Sequence, residues 1–160
     1  MKTLLLIRHA KSSWKFPELD DHDRPLNARG ERDRWRMAEY LSQYDPSLEQ
    51  IHTSTAKRAK SLADTIGDVL KIPVMPHQAL YTFGAGALAS FVRQLPNELD
   101  RVAVVGHNPA ITEYVNHLTR AGLANVPTSG IAAIQCDLER WSELTPSVCT
   151  LDYFVAPKLI

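Results

Sequence analysis

The chain is predicted to fold as an α/β protein: a three-layer sandwich with a mostly parallel central sheet flanked by helices. Three observations predict it. Short apolar runs alternate with amphipathic stretches from one end of the 160 residues to the other. The two most apolar runs, "LLLI" at 4–7 and "VAVV" at 102–105, are continuous rather than alternating, as strands covered on both faces must be. No repeat, low-complexity tract or linker interrupts the alternation, so residues 1–160 are read as one domain.

The elements follow in order. "KTLLLI" (2–7) is a buried strand. "DRPLNARGERDRWRMAEYLSQY" (23–44) is a turn and then a helix, with Asn27 as N-cap. Its expected apolar stripe is Trp35, Ala38 and Leu41, with Met37 at the edge. "QIHTS" (50–54) is a second strand. "AKRAKSLADTIGDVLKI" (56–72) is the clearest helix, its Ala59, Leu62, Ala63, Ile66, Val69 and Leu70 recurring at intervals of three and four. "PVMP" (73–76) is a brief third strand, and "GALASFVRQL" (86–95) a third helix. "RVAVVGH" (101–107) is the other buried strand, and Pro109 opens the helix "AITEYVNHL" at 110–118. "GIAAIQCDL" (130–138) and "CTLDYFVA" (149–156) close the chain as a hairpin that adds antiparallel pairing.

Composition narrows the function classes. Lysines plus arginines equal aspartates plus glutamates at 18 each, so bulk charge offers nothing to nucleic acid. No apolar run approaches the roughly 20 residues a membrane span needs. The lysine and short apolar stretch of "MKTLLLIRHA" echo a secretory signal but are stopped by Arg8 and His9 without a cleavage site. Cys136 and Cys149 have no metal spacing and read as reduced core residues of a cytoplasmic protein.

The functional signal sits where strands end. "LLLI" runs into Arg8-His9, and "VAVVG" into His107. "QIHTS" leads through a short turn to Arg58 at the start of a helix. Ligands of open α/β sheets bind beyond the strands' carboxyl ends, so these segments are expected to bring two arginines and two histidines together. That set suits phosphoryl transfer. Guanidinium forks bind phosphate oxygens and keep their charge, a neutral imidazole can attack phosphorus, and a protonated one can hydrogen-bond the phosphoryl oxygens.

The same residues resemble a known family. "RHAKSSW" (8–14) resembles the RHG signature of the histidine phosphatase superfamily, which includes the cofactor-dependent phosphoglycerate mutases. "STAKRA" (54–59) resembles the segment with the second phosphate-binding arginine, and "VVGHNP" (104–109) the segment with the second catalytic histidine. "DRPLNARG" (23–30) and "VPTSGIAAI" (126–134) match flanking stretches, and the pieces stand in family order along nearly the whole chain. The short length, "DRPLNARG" and "GHNP" look most like the small SixA-type phosphohistidine phosphatases. The resemblance implies a phosphoglycerate mutase-like fold, with no metal and no organic cofactor. It implies His9 as the transiently phosphorylated nucleophile, Arg8 and Arg58 as phosphate ligands, and His107 as the second catalytic histidine. Ser12, Arg24 and Asn108 are further substrate-binding candidates. The implied substrate is a protein phosphohistidine, with inorganic phosphate as product. A small-molecule phosphomonoesterase acting on sugar or nucleotide phosphates, or a phosphate-binding module without turnover, are the alternatives.

Departures from the family pattern carry information too. Ala10 stands where the signature has glycine, so that position must avoid a glycine-only conformation. Lys11 and Lys15 replace a glutamate and an asparagine of mutase-like members. Longer members carry a glutamate general acid after the third strand. Here "QALYTFGAGALAS" (78–90) has no acidic residue, and Tyr81 and Thr82 stand near the place. "FGAGALA" fits GxGxxA formally, but it follows no long strand and reads as a loop entering a helix. "PELDDHD" (17–23) reads as a flexible surface loop near the site mouth rather than a metal site, and "ERDRWRMAE" (31–39) as a solvated helix face. His52, His77 and His117 read as structural or exposed.

Overall fold

A computed structural model describes all 160 residues. A six-stranded sheet forms from β1 (Lys2–Arg8), β2 (Gln50–Ser54), β3 (Val74–His77), β4 (Arg101–Gly106), β5 (Ile131–Cys136) and β6 (Cys149–Val155), in the order β3-β2-β4-β1-β5-β6. β1 and β4 lie at its centre and pair in parallel, Leu5 opposite Ala103 and Arg8 opposite Gly106. β2 is parallel to both β4 and β3. Only β5 runs against its neighbours, so the sheet is mostly parallel. The helices are α1 (Ala28–Tyr44), α2 (Lys57–Leu70), α3 (Ala85–Val92) and α4 (Ala110–Thr119). None is long and apolar enough to cross a membrane.

The continuous apolar runs explain the layers. Side chains alternate across a strand, so β1 serves two cores at once. Leu5 and Ile7 join Ala103, Val105 and the inner faces of α1 and α2 in one cluster. Leu4 and Leu6 join Val102, Val104 and residues of α3 and α4 in the other, with Trp141 fully buried among them. Every apolar residue of "LLLI" and "VAVV" is solvent-inaccessible, which is why neither run could alternate.

The expected stripe of α1 is corrected at one position. Trp35 is 52% exposed, whereas Met37 is fully buried with Ala38 and Leu41. The helix lays the 37–38–41 edge on the sheet, and the indole spreads over the outer surface near Arg34 instead. Asn27 is the N-cap, its Oδ1 accepting from Gly30 N–H at 2.8 Å. Gly30 is where α1 is pressed against the loop after β1. A Cβ there would lie 2.1 Å from the Lys11 carbonyl oxygen, which also accepts from Asn27 N–H. Backbone on that loop cannot yield, so Gly30→Ala is expected to cost at least ~2 kcal/mol and roughly 5 °C of Tm. Thermal unfolding of the variant checks this.

Candidate active site

Four elements converge at the carboxyl end of β1. His9 N–H donates to Gly106 carbonyl at the end of β4, and Ala10 N–H to the Arg58 carbonyl in α2. Ser129 N–H, on the loop entering β5, reaches the carbonyls of Arg8 and His9 at 3.1 and 2.9 Å. Ser129 adopts φ of +62°, a left-handed conformation rare outside glycine, and it does so in order to face that strand end. Ala10 is not among the residues with positive φ, which accounts for alanine serving where the signature has glycine.

The mounts fix the imidazoles. His9 Nδ1–H donates to the Ala10 carbonyl at 2.8 Å. That sets the tautomer and leaves the Nε2 lone pair free. His107, 1% exposed, lies with its ring centroid 5.1 Å from that of His9. Its Nε2–H donates to Ser54 Oγ at 2.8 Å, and its Nδ1 faces Arg58 Nη2 at 3.5 Å. Burial above all, then the Arg58, Arg8 and Arg24 guanidinium groups, lowers the His9 pKa to about 4 against the contrary pull of the Ala10 carbonyl. Burial, with the His9 ring and Arg58 next, lowers His107 to about 3. Both rings are therefore neutral at pH 7. Because protonation would remove the Nε2 lone pair, the acid limb of kcat/KM is expected near His9's value of about 4 rather than the ordinary 6.5. Once substrate ionisation is corrected for, activity should persist to pH ~5. An acid limb near 6.5 in that profile would contradict a neutral, buried His9.

The two signature arginines flank this pair. Arg8 Nη1 donates to the Val126 carbonyl at 3.1 Å. Arg58, 3% exposed, donates through Nη1 to the Asp21 carbonyl at 2.7 Å and through Nη2 to Asp21 Oδ2 at 2.9 Å. The Nε–H groups of both arginines, and the Ser129 hydroxyl, are buried without a partner. Buried donors left unpaired are costly unless a ligand meets them.

Asp21 corrects the reading of "PELDDHD" as a flexible loop. Asp21–Asp23 form a short 3₁₀ turn tied to the site. Asp21 Oδ1 accepts from Arg24 Nε and Nη2, and Oδ2 accepts from Arg58 and from the Tyr81 hydroxyl at 2.7 Å. His22 is held by Asp23 and Thr55. Burial pulls the Asp21 carboxyl upward, but the Tyr81, Arg58 and Arg24 hydrogen bonds outweigh it and hold Asp21 far below the usual carboxylate range. Burial and the Asp21 carboxylate raise the Tyr81 phenol. Tyr81 and Phe83 also cover the His107 ring, with centroids 5.4 and 5.2 Å away.

The remaining candidates are tied into the same loops. Arg24 donates to Ser12 Oγ at 2.7 Å and stacks under Trp14 at 3.6 Å, itself 74% exposed. Asn108 Nδ2 donates to Asn125 and the Val126 carbonyl, while its Oδ1 accepts from Thr112 N–H and O–H at the start of α4. His52 and His77 pair with each other across β2 and β3 at 2.9 Å, and His117 is exposed on α4. Gly84 and Gly86 have nothing packed against them and simply precede and open α3. No group of three His, Cys, Asp or Glu side chains stands close enough to hold a metal ion. Ser54 and Asp21 were the residues harder to see. Ser54 ends β2, so the strand-end rule that found His107 points to it as well.

Residues 4–89 match the family profile described as the histidine phosphatase superfamily, branch 1. The chain belongs to the histidine phosphatase superfamily. An uncharacterised protein of Mycobacterium leprae is 30% identical over 95% of this chain and 100% of its own length. Among solved structures of similar fold, one described as a phosphohistidine phosphatase SixA from Nakamurella multipartitia is 25% identical, covers 98% of this chain and 96% of its own, and superposes with a TM-score of 0.86. A protein histidine phosphatase SixA complexed with tungstate gives a TM-score of 0.79 at 23% identity, covering 98% of this chain and 97% of its own. A mycobacterial glucosyl-3-phosphoglycerate phosphatase in complex with VO3 gives 0.77 at 14% identity, covering 98% of this chain and all of its own. The sandwich is thus the phosphoglycerate mutase-like fold of a SixA-type member, and the family match with its phosphatase relatives marks the chain as a hydrolase of the phosphatase kind.

Proposed function

We propose that the protein is a phosphohistidine phosphatase working through a phosphorylated His9. One observation carries the reading. A neutral imidazole with its Nε2 lone pair free sits in a cradle whose two arginines keep buried, unpartnered Nε–H donors. A phosphoryl group held by the two guanidinium groups would bring phosphorus to the His9 lone pair.

His9 Nε2 attacks phosphorus, and the N–P or O–P bond to the leaving group breaks. Water then attacks phospho-His9, releasing inorganic phosphate and restoring the imidazole. Arg8 and Arg58 hold the phosphoryl oxygens. His107 starts neutral, but a dianion beside it raises its pKa, so it takes its proton as negative charge arrives and donates back to that charge. Ser12 and Arg24 support the loop that carries His9, and Asn108 supports the loop that carries His107. The substrate fitting this set is a phosphohistidine borne on a protein, in a cytoplasmic setting. Two relatives of the same fold are described as complexes with tungstate and with VO3, both oxyanions, which is in keeping with a phosphoryl substrate.

The test is release of phosphate from a phosphohistidine protein and from a phosphoramidate, each with and without a chelator. With guanidinium groups as the charge clamp, turnover is expected to be unchanged by the chelator. No turnover of either compound would overturn the phosphohistidine reading; turnover of sugar or nucleotide phosphates instead would make the protein a small-molecule phosphomonoesterase, and no turnover of any of them a phosphate-binding module. Activity lost to the chelator and restored by a divalent ion would overturn the arginine clamp.

A further inference from the structure

The mechanism uses neither cysteine, yet the fold brings both together. Cys136 ends β5 and Cys149 begins β6, and the two are directly opposed in the antiparallel register. Asp137 N–H donates to the Val148 carbonyl at 2.8 Å, one step further along the ladder. The pair 137–148 is therefore the hydrogen-bonded one, and 136–149 is non-hydrogen-bonded. In that class the Cα atoms approach to ~4.5 Å, inside the range a disulfide spans. The side chains already face each other, with Sγ to Sγ at 4.0 Å. Both are free thiols.

Access differs between the two. Cys136 is wholly buried in the core formed with α3 and α4. Cys149 is 9% exposed and lines a surface cleft of about 220 Å³ with Met1, Gln135 and Val148. That cleft is the side from which a hydroperoxide would approach Cys149, and Cys136 is then the nearest thiol to resolve it. The contact with the Cys149 sulfur, and burial after it, raises the Cys136 pKa, which leaves Cys149 as the thiol that reacts first.

The geometry points to Cys136 and Cys149 as an oxidant-responsive pair that closes to a reversible disulfide across β5 and β6. Cys149 attacks a hydroperoxide, the O–O bond breaks, and a sulfenic acid and one molecule of water form (an alcohol if the peroxide is alkyl). The Cys136 thiol attacks that sulfenic sulfur and expels a second water. Two thiols lose two electrons, and the peroxide gains them. Cys149 borders the surface cleft, so a small thiol reductant can approach the bridge and reopen it, which makes it a switch rather than a permanent brace.

Its consequence is local. β6 is an edge strand and pairs only with β5, so a covalent tie at its first residue restrains the edge. Cys136 pairs with Lys2 at the start of β1, whereas the site lies at the far end, about 20 Å along the strand. Oxidation should therefore tighten β6 and leave the site working.

Treating the native chain with hydrogen peroxide tests this. Peptide mapping without reductant is expected to find Cys136 linked to Cys149 in the same molecule, the chain lighter by two hydrogens. A thiol reductant should reverse it. Hydrogen exchange in 149–155 should slow in the oxidised form, with aryl phosphate turnover unchanged. C149A and C136A should each form no intrachain bridge. The proposal is overturned if both thiols stay reduced while exposed methionine is oxidised. It is equally overturned if Cys149 proceeds to sulfinic acid with Cys136 untouched, or if bridges form only between molecules.

Discussion

Quenching the protein during turnover is expected to trap phosphate on His9, in a linkage that acid cleaves and base does not. The expectation comes from the tautomer. A ring whose Nδ1–H is engaged by the Ala10 carbonyl offers only Nε2 to phosphorus, and burial keeps that nitrogen unprotonated. His9→Ala removes the only attacking atom, so labelling should vanish and turnover should fall by at least ~10³-fold, as for other covalent nucleophiles. Arg58→Ala leaves the nucleophile but removes half of the charge clamp. It should cost on the order of 10²-fold or more in kcat while phospho-His9 still forms slowly. Mass spectrometry of the quenched chain locates the phosphate. An acid-stable label on a hydroxyl such as Ser12 would refute a histidine nucleophile.

Much of this site was legible because each piece is local to a strand end. Arg8 and His9 follow β1, His107 follows β4, and Arg58 opens the helix after β2. A parallel sheet then brings those ends together whatever its side chains are. Asp21 was not legible in the same way. It belongs to no strand or long helix, and its place depends on Arg24, Arg58 and Tyr81, which lie 3, 37 and 60 residues away in sequence. "PELDDHD" reads as a solvated acidic loop because nothing nearby in sequence announces those partners. Trp35 went astray for a related reason. Periodicity gives the width of a stripe, but which edge of α1 meets the sheet is decided by the close approach that Gly30 allows to the Lys11 carbonyl and by the packing of Met37.

The structure of the Asp21 cluster sharpens what the missing glutamate implies for substrate choice. An alkoxide leaving from a sugar phosphate needs a positioned acid. The two groups near the place of that acid are Asp21 and Tyr81, and neither suits it. Four donor groups from three residues hold Asp21 ionised, and one of them, the Tyr81 hydroxyl, has its own pKa raised. Imidazole leaving from phosphohistidine brings its own proton, and a fixed carboxylate favours a departing imidazolium. Phosphohistidine or a phosphoramidate is therefore expected to exceed alkyl phosphates in kcat/KM by at least ~10²-fold, the low end of what general acid catalysis contributes. Aryl phosphates, whose leaving groups need no acid, should fall between. Asp21→Asn keeps the shape but removes the charge and one of the two acceptor oxygens, so the amide oxygen can serve either Arg24 or the Arg58–Tyr81 side, not both. The substitution should narrow the preference by about tenfold, the worth of one charge-assisted contact, mainly by slowing N–P cleavage. If sugar phosphates turn over as fast as phosphohistidine, some residue does serve as the acid. Loss of alkyl phosphate turnover alone in Asp21→Asn would then assign that role to Asp21, and an unchanged ratio would direct the search to Glu18, Asp20 and Asp23 of the same loop.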